Sequence, residues 1–352
     1  MPEPSPRSIG GPARSGSPYD GGVSEILNNR RLVSGPKFLK GHGTENDFVI
    51  LPDPDGAVDL TSGLVARLCD RRAGLGADGV LRAVRVSGDA AWPADGPGGG
   101  AQWFMDYRNA DGSLAEMCGN GIRVFGRYLL DHDLVAGPEF TVATRGGTRL
   151  VRAEPDGEIT VEMGAPQVLG TGRATLAGQP LEGLRLSLGN PHLACLVDSP
   201  LAEFDLSRPP ELDAGQFPDG VNLELVSVIG NGHILMRVYE RGSGATRSCG
   251  TGAVAAAVAA TAGGGASAGS ANDAMPAGDG ASGVLPDGSA PAGPAAAAAR
   301  PAPAGGWVVD VPGGRLRVIF DGQTSFLSGP AVIVAEGELD QAWLSGRPAI
   351  PG

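Results

Sequence analysis

Met117-Cys118-Gly119-Asn120-Gly121-Ile122-Arg123 and, 131 positions later, Ser248-Cys249-Gly250-Thr251-Gly252-Ala253-Val254 read as two copies of one device. Each sets a cysteine directly before Gly-x-Gly, and each runs on into an apolar stretch free of proline. After Cys118 the apolar residues recur at three- and four-residue steps, and after Cys249 the run is rich in alanine, so both predict helices. Glycines at a helix start let a ligand approach the backbone, and the first amides have no helical acceptor. Those amides and the helix dipole suit an anion such as a carboxylate. The same field is expected to draw a cysteine toward its thiolate. One such turn is common and reads equally well as a structural cysteine. Two copies point to two thiols flanking one carbon, one removing a proton and the other delivering one to the opposite face.

Working outward, the flanks are mostly strands. Phe38 to Leu51 predicts strand, polar loop, strand, and the loop carries His42, Glu45, Asn46 and Asp47; an ordinary turn explains these residues as they stand. Thr61 to Arg72 has a helical period with Thr61 or Ser62 as cap and Gly74 as stop. Strands are predicted at Val80–Val86 and Trp103–Tyr107, with a surface loop over 87–100. Glu139 to Gly164 reads as an antiparallel meander. Leu184–Leu188 and Leu193–Val197 flank Gly189-Asn190-Pro191-His192, and Val221–Val228 and His233–Glu240 flank another turn. Trp307–Val311, Leu316–Phe320, Phe326-Leu327 and 331–335 complete the strands. The order, strands-helix-strands taken twice, predicts an internal duplication of one mostly antiparallel unit.

Composition bounds the function classes. The chain has 352 residues, 41% hydrophobic, which gives room for two domains. A net charge of −12 argues against a basic nucleic-acid surface. The first twenty residues lack the apolar centre of a secretory signal, and no apolar run is long enough to span a membrane, so a cytoplasmic address is expected. Cys69, Cys118, Cys195 and Cys249 include no C-x-x-C pair, so no zinc or thioredoxin motif is indicated. Cys69 and Cys195 sit in apolar runs and read as buried filler. Residues 1–35 are expected to be a disordered tail. Of the 44 residues 263–306, 15 are Ala, 11 Gly and 6 Pro, which predicts a disordered insertion.

The motif set His42-Gly43-x-x-Asn46-Asp47-Phe48, Arg108 to Ser113, Met117 to Arg123, Gly189-Asn190-Pro191-His192, Val221-Asn222, and Val238 to Gly242 with Ser248 to Ala253 resembles the diaminopimelate epimerase family. The resemblance runs from about Lys37 to Asp340, less the insertion. It implies an α/β (α+β type) fold of two pseudo-symmetric domains, 36–165 (completed by 331–345) and 166–330. Each would be a curled, mostly antiparallel sheet around a central helix, with the active site in the cleft between them. It implies an epimerase that interconverts LL- and meso-2,6-diaminopimelate for lysine and peptidoglycan precursors, with no cofactor and no metal, as a cytoplasmic homodimer. By the same resemblance Cys118 and Cys249 are the acid–base pair, and His192 and Glu240 tune them. Gly119, Asn120, Gly250 and Thr251 would hold the reacting carboxylate, with Asn46 and Glu240 near the reacting amine. Asn109, Asn190, Asn222 and Arg241 would recognise the distal end. Two departures stand out: Gly79 where many members carry Gln, and Ala245 where Glu is frequent. The alternatives are another cofactor-independent racemase or epimerase of this fold, of the proline or hydroxyproline type, and a thiol-redox binding protein whose two cysteines form a regulatory disulfide.

Overall fold

A computed structural model describes residues 35–86, 100–263, 303–322 and 324–346. The expected tail (1–34), most of the 87–100 loop and most of the 263–306 insertion lie outside the described residues. In chain order the elements of the first half are β1 Lys37–Gly43, β2 Asn46–Pro52, α1 Ser62–Cys69, β3 Gly79–Arg85, β4 Trp103–Asn109, α2 Gly119–Asp131, β5 Glu139–Thr144, β6 Gly147–Ala153 and β7 Ile159–Gly164. Then follow β8 Gln167–Leu176, β9 Gln179–Ser187, β10 Pro191–Leu196, β11 Glu211–Leu212, β12 Asn222–Gly230, β13 His233–Glu240, β14 Gly244–Thr246 and α3 Gly250–Ala262. The chain continues with β15 Trp307–Val311, β16 Gly314–Asp321, β17 Thr324–Gly329, β18 Val332–Glu338 and α4 Gln341–Leu344.

The pairing repeats. In the first half three antiparallel hairpins, β1–β2, β3–β4 and β5–β6, are joined by the parallel pairs β2–β3 and β4–β5. In the second half the hairpins are β9–β10, β12–β13 and β15–β16, joined by the parallel pairs β10–β12 and β13–β15. A further strand closes each series, β7 on β6 and β17 on β16, and these two pair antiparallel with each other. The helix enters at the same place each time: α2 connects β4 to β5, and α3 lies between β13 and β15. The duplication expected from the two cysteine stretches is thus written in the strand register. The parallel joints are the part not anticipated, because a helix that connects two strands of one sheet makes them parallel.

Both helices lie inside their curled sheets. On α2, Ile122, Val124, Phe125, Tyr128 and Leu129 are buried in the main core. On α3, Ala253, Val254, Ala255, Ala256, Ala257, Ala259 and Ala260 are all buried, so nearly the whole circumference is packed. A helix covered on every side carries no polar stripe, and alanine lets strands approach it closely. Gly263 ends α3 in the left-handed conformation (φ 77°), which glycine adopts without strain. Cys69 and Cys195 are buried, as expected of small core residues.

Three expectations shift. The helix at 61–72 ends at Cys69, because the Asp70 side chain accepts from the amides of Arg72 and Ala73 and turns the chain out of the helix. Strand β8 was not legible: its glycines and polar residues face solvent along most of its length. Strand β9 begins five residues before the predicted Leu184, extending the β8–β9 hairpin. Gly35 and residues 338–346 belong to a separate compact unit, in which Asp340 caps α4 by accepting from the Trp343 amide.

Candidate active site

Cys118 and Cys249 occupy the same position, the residue capping the start of a helix, with matching extended backbone (φ −136°, ψ 122° and φ −130°, ψ 119°). The first helical hydrogen bonds run from Ile122 to the Cys118 carbonyl and from Ala253 to the Cys249 carbonyl, both 2.9 Å. The amides of Gly119, Asn120, Gly250 and Thr251 precede those bonds and have no helical acceptor. The two helix starts abut. A Cβ built on Gly250 would stand 3.0 Å from the Gly119 Cα and 3.3 Å from the Asn120 nitrogen. Residues far apart in sequence therefore bring two cysteines and four amides that lack a helical acceptor to one place.

Each thiol has its own surroundings. The Cys118 thiol donates to the Asn46 side-chain oxygen at 3.7 Å and accepts from the Gly121 amide at 3.4 Å. Cys249 Sγ lies 3.5 Å from the Thr251 hydroxyl and faces the Glu240 carboxylate. Glu240 also accepts a short hydrogen bond from the Thr246 hydroxyl. Burial pushes the Cys118 thiol up to about 11, against the Gly121 and Asn120 amides and the Arg123 charge, which pull it down. Burial, reinforced by the Glu240 and Glu224 carboxylates, holds Cys249 well above an ordinary thiol. The expected drift toward thiolate is thus reversed: the helix-start amides act in that direction, but desolvation outweighs them. Burial also raises Glu240, while the Thr246 bond and the facing Cys249 thiol lower it.

His192 is fully buried between two acceptors. Its Nδ1 lies 2.7 Å from Glu224 Oε1 and its Nε2 lies 3.0 Å from Asn190 Oδ1. Asn190 in turn donates to the Thr251 hydroxyl at 3.3 Å, which ties the pair to the start of α3. The two oxygens that face the two ring nitrogens fix the orientation of the imidazole. Glu224 is wholly buried under α3, where a Cβ at Gly252 would meet its Oε1 at 2.8 Å. Asn222 accepts from the Arg241 amide at 2.9 Å, and Arg241 reaches the Asp219 carbonyl at 3.1 Å. Arg241, His192, Pro191, Arg185 and Phe217 line a recess of about 300 Å³. Asn109 stands apart from these networks, its amide donating to the Ser113 hydroxyl at 3.0 Å.

The family model described as diaminopimelate epimerase matches residues 38–169 and 185–297. The chain belongs to the diaminopimelate epimerase family. A diaminopimelate epimerase from Thermobifida fusca is 53% identical over 306 residues, covering 86% of this chain and 97% of that one. Among solved structures, a phenazine biosynthesis protein of the PhzF family from Bacillus anthracis aligns with a TM-score of 0.56 at 14% identity, covering 87% of this chain and 99% of that one. A hydroxyproline epimerase from Agrobacterium vitis aligns with a TM-score of 0.55 at 12% identity, covering 89% of this chain and 95% of that one. Those two likenesses concern the fold, a mixed α/β architecture of two pseudo-symmetric domains.

Within the diaminopimelate epimerase family the two departures have physical content. A side chain at Gly79 would meet the Arg108 carbonyl at 2.6 Å and the Tyr107 ring at 2.8 Å, so this strand register leaves no room for glutamine. Ala245 is exposed on β14, and the hydrogen bond to Glu240 comes from its neighbour Thr246. Four site residues escaped sequence reasoning: Glu224, Thr44, Ser248 and Arg123. Thr44 and Ser248 share a 2.6 Å hydrogen bond across 204 positions, and Asn120 donates to the Ser248 hydroxyl at 3.3 Å and to its carbonyl at 3.2 Å. A charged Glu224 amid Leu223, Leu225 and Val226 was the available signal, because the sheet is covered on both faces there.

Proposed function

We propose that this chain interconverts LL- and meso-2,6-diaminopimelate by moving one proton off, and another onto, the same α-carbon through Cys118 and Cys249. The observation that carries the reading is the abutting pair of cysteine-capped helix starts, at equivalent positions of two equivalent halves. The substrate α-carboxylate would sit on the helix-start amides of Gly119, Asn120, Gly250 and Thr251, where negative charge grows as the proton leaves. Preorganised donors of this kind contribute roughly 3–4 kcal/mol each. Both thiols rest protonated, so one must first release its proton to solvent, and the substrate ammonium favours that thiolate; it then takes the α-proton and becomes a thiol, while the other thiol gives its proton to the opposite face and becomes the thiolate. Glu240, which faces Cys249, and the buried Glu224–His192 pair define the Cys249 side. Asn46 holds the Cys118 side.

The distal end would be read by Asn190, Asn222 and Arg241, which converge near the recess, and by Asn109. Arginine suits a bidentate grip on the distal carboxylate. The same reading takes 36–165 and 166–330 as the domains flanking the site. It also takes the reaction to serve lysine and peptidoglycan precursors, without a cofactor, in a cytoplasmic homodimer. The proline-type alternative shares the fold, but this chain's likeness to its diaminopimelate epimerase relatives is far greater. The test is deuterium wash-in at the α-carbon of LL-diaminopimelate in deuterium oxide. The wild type is expected to exchange, and Cys118→Ser and Cys249→Ser to lose at least about a hundredfold in turnover. Full exchange in both serine variants, or exchange with hydroxyproline instead, overturns the reading.

A further inference from the structure

Among the described residues Arg123 is the largest of the wholly buried side chains, with no exposed surface. It lies in the first turns of α2, five positions after Cys118. Its guanidinium donates to the Gly119 carbonyl at 3.2 Å, the Asn120 side-chain oxygen at 3.0 Å and the Thr44 hydroxyl at 3.3 Å. All three acceptors are neutral, and its Nε has no partner. Among the described residues no carboxylate forms an ion pair with it; Glu158 acts on it only through space. Buried charge without a counter-charge is costly, and a protein keeps one where an anion forms nearby. The anions that form here are the Cys118 thiolate and the carboxylate seated on the α2 amides.

We infer that Arg123 is a positioning residue whose fixed, buried charge favours negative charge at Cys118 and holds Asn120 in place beneath the substrate carboxylate. This deepens the proposed reaction and rests on that reading for its purpose, but not for its measurement. The charged and titratable groups facing Cys118 are Arg123 from α2, Glu240 from β13 and Tyr107 from β4. Cys249 faces Glu240, Glu224 and the same tyrosine. Arg123 bonds the Gly119 carbonyl and the Asn120 side chain at the helix start that Cys118 caps, so the inferred effect is larger at Cys118 than at Cys249. The Asn120 side chain links the device to the other half, since it also donates to Ser248.

The experiment follows iodoacetamide alkylation of each cysteine by site-resolved mass spectrometry, on the substrate-free full chain at one mildly alkaline pH. The rate tracks the thiolate fraction and needs no turnover, so failure of this inference and failure of the epimerase reading are separable. Arg123→Gln keeps hydrogen-bond donors and removes the charge; Arg123→Met removes both; Arg123→Lys keeps the charge. Both neutral variants are expected to slow Cys118 alkylation by about tenfold or more while Cys249 changes less, with Arg123→Lys near the wild type. The rising limb of the turnover–pH profile should move to higher pH in the neutral variants. Cys118 alkylation within about twofold of wild type in a folded neutral variant overturns the inference, as does a lysine variant slowed as much as the glutamine one. The wild type supplies an arm that depends on no variant folding. A wholly buried charge is little screened, so raising salt from about 0.05 to about 0.5 M should leave the Cys118 rate nearly unchanged. A severalfold fall would place the helping charge on the surface and overturn the inference.

Discussion

At the residue scale the site is governed by desolvation. Two thiols at helix starts would be acidified if they faced water, yet burial raises both, and the Glu240 carboxylate raises both further. Removing a negative charge beside a thiol makes its thiolate less costly, so Glu240→Gln should lower both thiol pKa values. Cys118 is then expected to alkylate about threefold faster or more at fixed pH, while turnover falls because the carboxylate beside Cys249 that would stabilise the protonated amine is lost. Slower alkylation would show that Glu240 acts as a hydrogen-bond partner and not through its charge. Sequence reading nominated the thiols, His192, Glu240 and the asparagines because each sits in a distinctive motif. It missed Glu224 because a single carboxylate in Asn222-Leu223-Glu224-Leu225 imitates the outward residue of an alternating strand. It missed Thr44 because a β-branched residue at φ 51° is not one that turn chemistry nominates. Only the fold shows that Ser248 from the other half waits for its hydroxyl.

At the element scale two predictions separate electrostatics from packing. Asp47, on β2, is gripped by Lys40 at 2.6 Å and by Arg71 at 2.8 Å. Burial alone would raise its pKa, but the hydrogen bonds and charges of Arg71 and Lys40 prevail and hold it at about 2. Its folded value is depressed, so its contribution is present above the unfolded value near 3.8 and is lost as pH falls toward 2. Asp47→Asn should cost on the order of 1–2 kcal/mol at neutral pH, allowing for the exposed Arg71, and its urea midpoint should converge on the wild type's only as pH falls to about 2. A gap that persists at acid pH would assign the loss to packing. Ala257 tests the opposite case. It is wholly buried on α3, so Ala257→Leu should cost about 1–3 kcal/mol in urea unfolding through overpacking alone. The long apolar elements were legible because periodicity and burial agree in them. β8 was not, because a mostly exposed strand with glycines carries no apolar alternation. The early end of α1 was not, because Asp70 closes the helix with its own side chain.

At the scale of the whole molecule the chain solves one topological problem twice and joins the solutions through strands, helix starts and side chains. β7 pairs with β17 along the backbone, and the starts of α2 and α3 meet at Gly119 and Gly250. The repeat in the sequence foretold the duplication, but the parallel joints and the meeting point belong to long-range contacts that no local pattern encodes. The meeting point is where the geometry of the reaction is set, since it fixes how far apart the two capping cysteines stand. A Cβ at position 250 would press on the Gly119 Cα at 3.0 Å, on Leu327 Cδ2 at 3.0 Å and on the Asn120 nitrogen at 3.3 Å. Two of these neighbours are backbone and cannot rotate away, so the helix starts must part by some tenths of an ångström. Gly250→Ala should therefore reduce turnover by roughly ten- to a hundredfold while circular dichroism is unchanged, because small misplacements of reacting groups weigh heavily on rate. Gly63→Ala is the control: it lies in α1 with nothing within 4 Å of the added Cβ, and should stabilise the protein by about 0.5–1 kcal/mol with turnover unaltered. Should Gly250→Ala retain full turnover, the distance between the halves is not fixed by this contact, and the two thiols must be brought together by a motion that the resting arrangement does not limit.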